Sequence, residues 1–334
     1  YQFQTWEWCS KPLYIIFIIL GMVKVVYDEI CLSHIQDYGH PERPERIVET
    51  LKKIQDFSWV EIVSSEKFSE NVLLHDEEYI EYVKTFRGYM TGDTIVRSNT
   101  YELALNSVYC ALTAVRCKGF SLSRPPGHHA GRNFGGGFCY FNNIAIAAHE
   151  LTKEGKKVLI LDWDLHHGNG TENIVGGRKD IFYISLHQGW IYPGTGNLED
   201  SHDNIIDLPM PSGAGNQTYL DAFDEIIVPA IHHFNPDFIL VSHGSDAHWR
   251  DPLGSLELTS DAYGVFTQKV CEYTKNIAIL LEGGYDLQAL AESNLAILKA
   301  LQGKNVELTK SPSEIKGDVA KMKRFLKNRY EFLR

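Results

Sequence analysis

From residue 22 onward the sequence predicts an α/β fold, a single doubly wound domain whose parallel sheet is covered by helices on both faces. Three observations predict it. Strand-like and helix-like segments alternate, several strands are unbroken runs of aliphatic and β-branched residues, and stretches dense in Asp, His and Gly follow the strands directly. A strand buried on both faces loses the polar alternation of a half-exposed one. In such sheets ligands collect beyond the carboxyl ends of the strands, so the polar stretches mark a site.

The elements follow in order. After Met22, VKVVYDE supplies a first strand over Val23–Tyr27, and a helix is expected over Arg46–Ile54. A second helix, Tyr101–Val115, leads to a strand at Gly119–Leu122. Helix Asn143–Glu154 leads to the strand Lys157–Asp162, and a further strand follows at Ile181–Leu186. Then come helix Gln217–His232, strand Phe238–Ser242, helix Ser260–Thr274 and strand Ile277–Leu281. No linker, repeat or low-complexity tract divides them, so 22–334 reads as one domain. In the C-terminal segment Lys310–Arg334, Val319, Met322, Leu326, Tyr330 and Leu333 recur at helical spacing among eight Lys/Arg and three Asp/Glu. That pattern predicts an amphipathic helix docked on the domain with a solvated basic face, rather than a nucleic-acid or membrane tail.

Residues 1–21 read as an N-terminal extension that stands upstream of the domain or adds a strand or helix to it. Its apolar run Leu13–Leu20 resembles a signal-peptide core, is too short to span a bilayer as a helix, and is followed by no small-x-small cleavage site. A net charge of −11 argues against direct contact with nucleic acid, which needs a basic face. No membrane association is expected either. The six cysteines, Cys9, Cys31, Cys110, Cys117, Cys139 and Cys271, include no C-x-x-C pair and read as reduced thiols of a cytoplasmic protein.

Two stretches that follow strands carry metal-ligand chemistry. After KVLIL comes DWDLHHGNG, in which Asp164 and His166 are two apart and so face one way on an extended backbone. A later strand runs FILVSHGSDAH and presents Asp246. Two carboxylates and an imidazole form a three-donor set that leaves a position open for water, a catalytic rather than structural arrangement, with zinc the leading candidate. Asp and His also simply cap strand ends. Two such motifs on different strands, together with the adjacent pair His128 and His129 in a glycine-rich loop, outweigh that reading.

In order, RPPGHH, GGGFCYFNN, DWDLHHGNG, YPGTG, SDAHWRDPLG and LEGGYD resemble the zinc-dependent histone deacetylase family, and HPERPERI near the start fits it too. The family's wider group holds bacterial and archaeal deacetylase-like amidohydrolases, acetylpolyamine amidohydrolases and acetoin-utilisation proteins. The resemblance runs from about residue 22 to residue 300, and Trp163 and Asn169 lean toward its class II branch. It implies an arginase-like fold with a central parallel sheet of about eight strands. It also implies one Zn2+ per active site, a structural K+, and hydrolysis of an acetyl-lysine-like side chain or another acetylated amine to acetate and free amine. Oligomeric assembly is compatible with it.

The resemblance also distributes roles. His128 and His129 flank the attacking water; His129 is the base and then the acid, and His128 an electrostatic partner. Each imidazole needs its own hydrogen-bond partner to set its tautomer, and the family's partners match Asp162 for His128 and Asn169 for His129. An amide supports an imidazolium less well than a carboxylate, so His129 is expected to be the less basic. Tyr285 matches the catalytic tyrosine, which donates to the substrate carbonyl and then to the oxyanion. Phe138, Gly137 and Tyr192 match the acyl tunnel, Asp93 a rim carboxylate, and Leu253 the position where polyamine-selective relatives place an acidic gatekeeper. Arg46 matches the arginine of an acetate channel. Asp162, Asp164, His166, Ser185 and Leu186 match a monovalent-cation site. Ser245 departs from the usual aromatic or small apolar residue, which leaves the packing around it and His243 open. His34, His149, His232 and His233 read as structural.

Three other readings compete with this one. An acetylpolyamine amidohydrolase of the same family is the nearest alternative. A binuclear manganese ureohydrolase needs Asp-x-His-x-Asp, and Gly168 occupies the third position. A non-catalytic acyl-binding protein would lack a histidine, a ligand or the tyrosine, and all are present.

Overall fold

The computed structural model describes residues 21–334; Cys9 and the run Leu13–Leu20 lie outside the described residues. Ten strands are described: β1 (Val23–Val26), β2 (Val60–Val63), β3 (Gly88–Thr91), β4 (Thr94–Val96), β5 (Phe120–Ser121), β6 (Val158–Asp162), β7 (Ile181–Gln188), β8 (Ile205–Met210), β9 (Phe238–His243) and β10 (Ile277–Leu281). Eight of them form one sheet in the order β2-β1-β5-β10-β9-β6-β7-β8, and every pairing in it is parallel. The other two, β3 and β4, make an antiparallel hairpin.

The central strands are buried along their whole length, as their unbroken apolar runs require. Alternate side chains enter separate cores. Leu159, Leu161, Ile239 and Val241 pack on one face, and Val158, Ile160, Leu240 and Ala278 on the other. The helices covering these faces are α1 (Glu45–Ile54), α2 (Glu77–Thr85), α3 (Thr100–Cys117), α4 (Asn143–Lys153), α5 (Asn169–Val175), α6 (Asn216–Ala222), α7 (Val228–Phe234), α8 (Ser260–Tyr273), α9 (Leu287–Leu301) and α10 (Val319–Leu326). Side chains cap several of them: Asn142 Oδ1 accepts from Ala145 N at 2.9 Å, and Asp286 Oδ1 from Ala289 N at 2.7 Å.

The structure adds strands β2, β3, β4 and β8 and helices α2, α5 and α9 to the elements expected from sequence, and alters two others. The helix predicted over Gln217–His232 is α6 and α7 joined by a π-helical segment, Phe223–Ile227. Pro229 explains the break, because it has no N–H for the regular α ladder. β8 is a strand despite Asp207 and Pro209, since it sits at the sheet edge, where proline is tolerated. The C-terminal helix covers only Val319–Leu326, with a short 3-10 turn at Glu331–Leu333. The apolar residues still dock: Val319, Leu326, Tyr330 and Leu333 are buried. Tertiary anchors end the helix, because Tyr330 Oη donates to Ile205 O and Arg329 Nη1 donates to Glu199 O.

The sheet order positions the site. The loops leaving β5, β10, β9, β6 and β7, five adjacent strands, carry the histidine pair, the 282–286 turn, Asp246, the Asp164–His166 segment and Tyr192 respectively. No helix among the described residues is long and apolar enough to cross a membrane. Cys31, Cys110, Cys117, Cys139 and Cys271 are all free thiols.

Candidate active site

Asp164 and His166 do not converge by strand alternation. β6 ends at Asp162, and the chain bends so that Asp164 Oδ1 accepts from His166 N at 2.8 Å. His166 Nδ1 then lies 3.3 Å from Asp164 Oδ1 and 3.1 Å from Asp246 Oδ2. Backbone donors orient both carboxylates: Gly283 N gives to Asp164 Oδ2 at 2.8 Å, and Leu165 N to Asp246 Oδ1 at 3.0 Å. Burial pushes Asp164 up, yet the rings of His128 and His166 outweigh it and hold its carboxyl well below the usual range. Burial and the charge of Asp164 raise Asp246.

These three donors, all within 4.8 Å of one another, fit a divalent cation. Two buried carboxylates facing one imidazole carry surplus negative charge that such an ion neutralises. The surroundings are cut to that shape. A Cβ on Gly244 would stand 1.9 Å from Asp164 Oδ2, and one on Gly283 would stand 2.3 Å from Asp246 Oδ2. Gly244→Ala is therefore expected to displace Asp164 and cut zinc affinity at this site at least about tenfold. Zinc titration of folded protein checks this, and wild-type affinity in the variant would refute the fit.

The histidine pair stands beside the donors. The rings of His128 and His129 are 4.0 Å apart between centroids. His128 Nδ1 lies 3.1 Å from Asp162 Oδ2, which also accepts from Tyr183 Oη at 2.9 Å. His129 Nδ1 lies 2.8 Å from Asn169 Oδ1. An amide oxygen only accepts, so Nδ1 carries the proton and Nε2 is left as an acceptor. Burial works against a charged His128, but Asp164 and Asp162 overcome it and raise the group to about 10. Burial, then the neighbouring His128 and His166 rings, push His129 well below its ordinary value. The two rings thus have opposite electrostatic characters.

Beyond them opens a cavity of about 260 Å³. Its walls include His128, His129, Asp164, His166, Gly137, Phe138, Tyr192, Leu253, Asp93 and Tyr285, ten of the residues singled out from sequence. Phe138 and Tyr285 meet edge to face at 5.8 Å, and Tyr192 stands edge-on to His129 at 5.0 Å. Position 137 has φ +53°, and a Cβ there would lie 2.4 Å from His129 Cδ2, so only glycine fits. Phe138 itself has φ +69°, a left-handed conformation that costs an aromatic residue about 1–3 kcal/mol and holds its ring at the wall. Tyr192 and Leu253 are 45% and 41% exposed, which places them at the mouth. Asp93 is fixed in the β3–β4 turn, where its Oδ1 accepts from Thr91 and Thr94 hydroxyls at 2.6 and 2.8 Å.

Other predicted residues lie behind this cavity. Asp162, Asn169 and Asp246 support its walls. Ser185 pairs in register with Asp162 across β6 and β7, Leu186 follows it, and both are buried. Arg46 is fully buried behind Tyr285; its Nε donates to Gly284 O at 2.7 Å and its guanidinium lies 5.0 Å from the Tyr285 ring centroid. His243 is satisfied within the core, between Trp163 Nε1 at 2.9 Å and Asn294 Oδ1 at 3.0 Å. The Ser245 hydroxyl beside it is buried without a hydrogen-bond partner. His34, His149, His232 and His233 do not line the cavity.

Three contributors escaped the sequence reading. Tyr183 holds Asp162. Asp251 Oδ2 accepts from the backbone N–H groups of Tyr285 and Asp286 at 2.6 and 3.1 Å, anchoring the tyrosine turn. Glu282 Oε2 accepts from Gly127 N and His128 N at 2.7 and 3.2 Å, and burial pushes its carboxyl up to about 7. Asp251 and Glu282 sit inside the quoted motifs SDAHWRDPLG and LEGGYD, which was the available signal.

The model of the histone deacetylase domain matches residues 40–301. An uncharacterized protein of Synechocystis is 38% identical over 302 residues, covering 84% of this chain and 99% of its own. A probable deacetylase of Archaeoglobus fulgidus is 35% identical, with 86% and 88% covered. Among solved structures, the HDA15 HD domain superposes with a TM-score of 0.79 at 32% identity, covering 84% of this chain and 91% of that one.

Proposed function

The chain belongs to the histone deacetylase family of amidohydrolases, and on that premise we propose that it hydrolyses the N-acetyl amide of acetyl-lysine-like side chains or simple acetylated amines to acetate and free amine. One observation carries the reading. Two of the three metal donors, both members of the histidine pair and Tyr285 line a single cavity walled by Phe138 and Tyr192.

A divalent ion, by this reading Zn2+, held by Asp164, His166 and Asp246 supplies Lewis-acid polarisation of the carbonyl and lowers the pKa of water toward about 7 when bound. His129 takes a proton from the attacking water at Nε2 and returns it to the leaving amine, with Nδ1 anchored on Asn169. His128, kept cationic by Asp162, stabilises negative charge developing beside it. Burial raises Tyr285 well above its ordinary value, so its hydroxyl stays protonated and donates to the carbonyl oxygen and then the oxyanion. Phe138 and Tyr192 flank the methylene chain and exclude water, with Gly137 leaving room between Tyr192 and His129. Asp93 holds the substrate backbone at the rim, and Arg46 lines the path by which acetate leaves. Asp162, Asp164, His166, Ser185 and Leu186 would hold a K+ that would brace the loop from behind. The unit is residues 22–334, including the basic C-terminal segment, working in a reducing cytoplasm.

Leu253 bears on substrate choice. It offers no charge at the mouth, so acetyl-lysine peptides or simple acetylated amines are expected to be turned over better than acetylspermidine-type polyamines. An acidic residue there would add a charge-assisted hydrogen bond of about 1.5–3 kcal/mol to a secondary ammonium, one to two decades in specificity. The overall negative charge attracts polycations generally, but salt screens it within about 10 Å. Specificity constants measured side by side at moderate salt check the order, and Leu253→Glu should shift it toward polyamines. Polyamines preferred tenfold by the wild type would overturn it. The function itself is tested by screening the zinc-loaded protein against acetyl-lysine peptides, acetylated polyamines and small acetamides; silence across all three would reject it.

A further inference from the structure

Behind the catalytic layer, His167, Glu172 and Asp207 form a second cluster of metal-ligating side chains that the mechanism does not use. His167 Nε2 lies 2.9 Å from Glu172 Oε2 and 3.2 Å from Asp207 Oδ1. These spacings match those among the catalytic donors, where the imidazole stands 3.1 and 3.3 Å from its two carboxylates.

Asp207 supplies an independent observation. It is fully buried, and neither carboxylate oxygen has a hydrogen-bond partner. A buried carboxylate normally accepts several hydrogen bonds, and one left without any is costly. His167 Nε2 likewise makes no hydrogen bond, although two carboxylate oxygens stand near it. Its other nitrogen, Nδ1, lies 2.8 Å from Thr195 Oγ1. A hydroxyl can donate or accept, so this contact accommodates the tautomer with the proton on Nδ1 and a lone pair on Nε2, the usual arrangement of a metal-ligating histidine.

From these contacts we propose that His167, Glu172 and Asp207 form a second divalent-metal site, distinct from the catalytic one, that takes zinc. Ligation displaces any proton from Nε2, and two carboxylates with a neutral imidazole then carry two negative charges, which one divalent cation balances. The site ties together three elements of the catalytic wall. His167 directly follows the donor His166. Glu172 lies on α5, whose first residue is Asn169, the partner of His129. Asp207 is on β8, and Thr195 belongs to the loop that carries Tyr192. An ion here braces the histidine pair and the tunnel wall from behind, acting as a structural support.

Zinc content of the reconstituted, desalted full chain tests this independently of turnover. The wild type is expected to hold two ions per chain. Asp246→Ala should keep one, Asp207→Asn should keep one, and the double variant none. If Asp207→Asn fails to fold, Glu172→Gln, at a less buried position, should likewise lower the count or weaken the second zinc affinity at least about tenfold. One ion in the wild type, lost entirely in Asp246→Ala, would overturn the site. So would two ions retained in both folded Asp207→Asn and Glu172→Gln. Because the readout is bound metal, an inactive protein that holds two ions would reject the deacetylase reading and leave this site standing.

Discussion

Asp246→Ala is expected to remove the catalytic ion and bring turnover below detection while the fold survives. Asp246 is the donor contributed by the β9 loop, and without it only Asp164 and His166 remain, too few to hold zinc in an open catalytic geometry. The loss also leaves Leu165 N without the acceptor now 3.0 Å away. That bond orients the segment bearing the other two donors, so restoring zinc at millimolar concentration should not restore the rate. Zinc content and acetate release measured on the same folded sample check both halves. A variant that keeps wild-type turnover would show that the chemistry lies elsewhere.

His129→Ala and Tyr285→Phe should each lower turnover at least about a hundredfold with zinc still bound, the range for losing a general base or an oxyanion donor. The structure separates their roles. His129 has a free Nε2 because Asn169 engages Nδ1, and its lowered affinity for protons keeps it neutral and able to accept one. Tyr285 is kept protonated by burial and is held through its backbone N–H by Asp251. Removing only the hydroxyl should therefore reduce kcat more than it changes KM. His128→Ala should also be damaging, but less so, since its part is electrostatic. Near-wild-type rates for either folded, metal-loaded His129→Ala or Tyr285→Phe would end the acid–base assignment.

Much of this site was legible before the structure because its residues follow strands within short glycine-bearing motifs. DWDLHHGNG places two donors and Asn169 within six residues, and RPPGHH places both histidines side by side. Their convergence depended on which strands are neighbours. Five of the loops lie side by side only because β10 and β9 insert between β5 and β6, an order that local pattern does not encode. The supporting contacts were hidden for the same reason. Tyr183 reads as one more apolar strand residue, yet its hydroxyl holds Asp162. β8 is not among the expected strands; Asp207 and Pro209 interrupt its apolar run, and proline is tolerated at the sheet edge. The C-terminal segment kept its apolar spacing but only a shorter helix, Val319–Leu326, because contacts of Arg329 and Tyr330 with the body of the protein outweigh local periodicity beyond it.

The most direct test is acetate release from an acetyl-lysine peptide by the chelator-stripped chain, before and after adding one equivalent of zinc for each metal site. No release is expected before addition, then acetate and free amine in equal amounts afterward, with Tyr285→Phe near background under the same conditions. Release that is indifferent to metal, or equal in Tyr285→Phe, would contradict it.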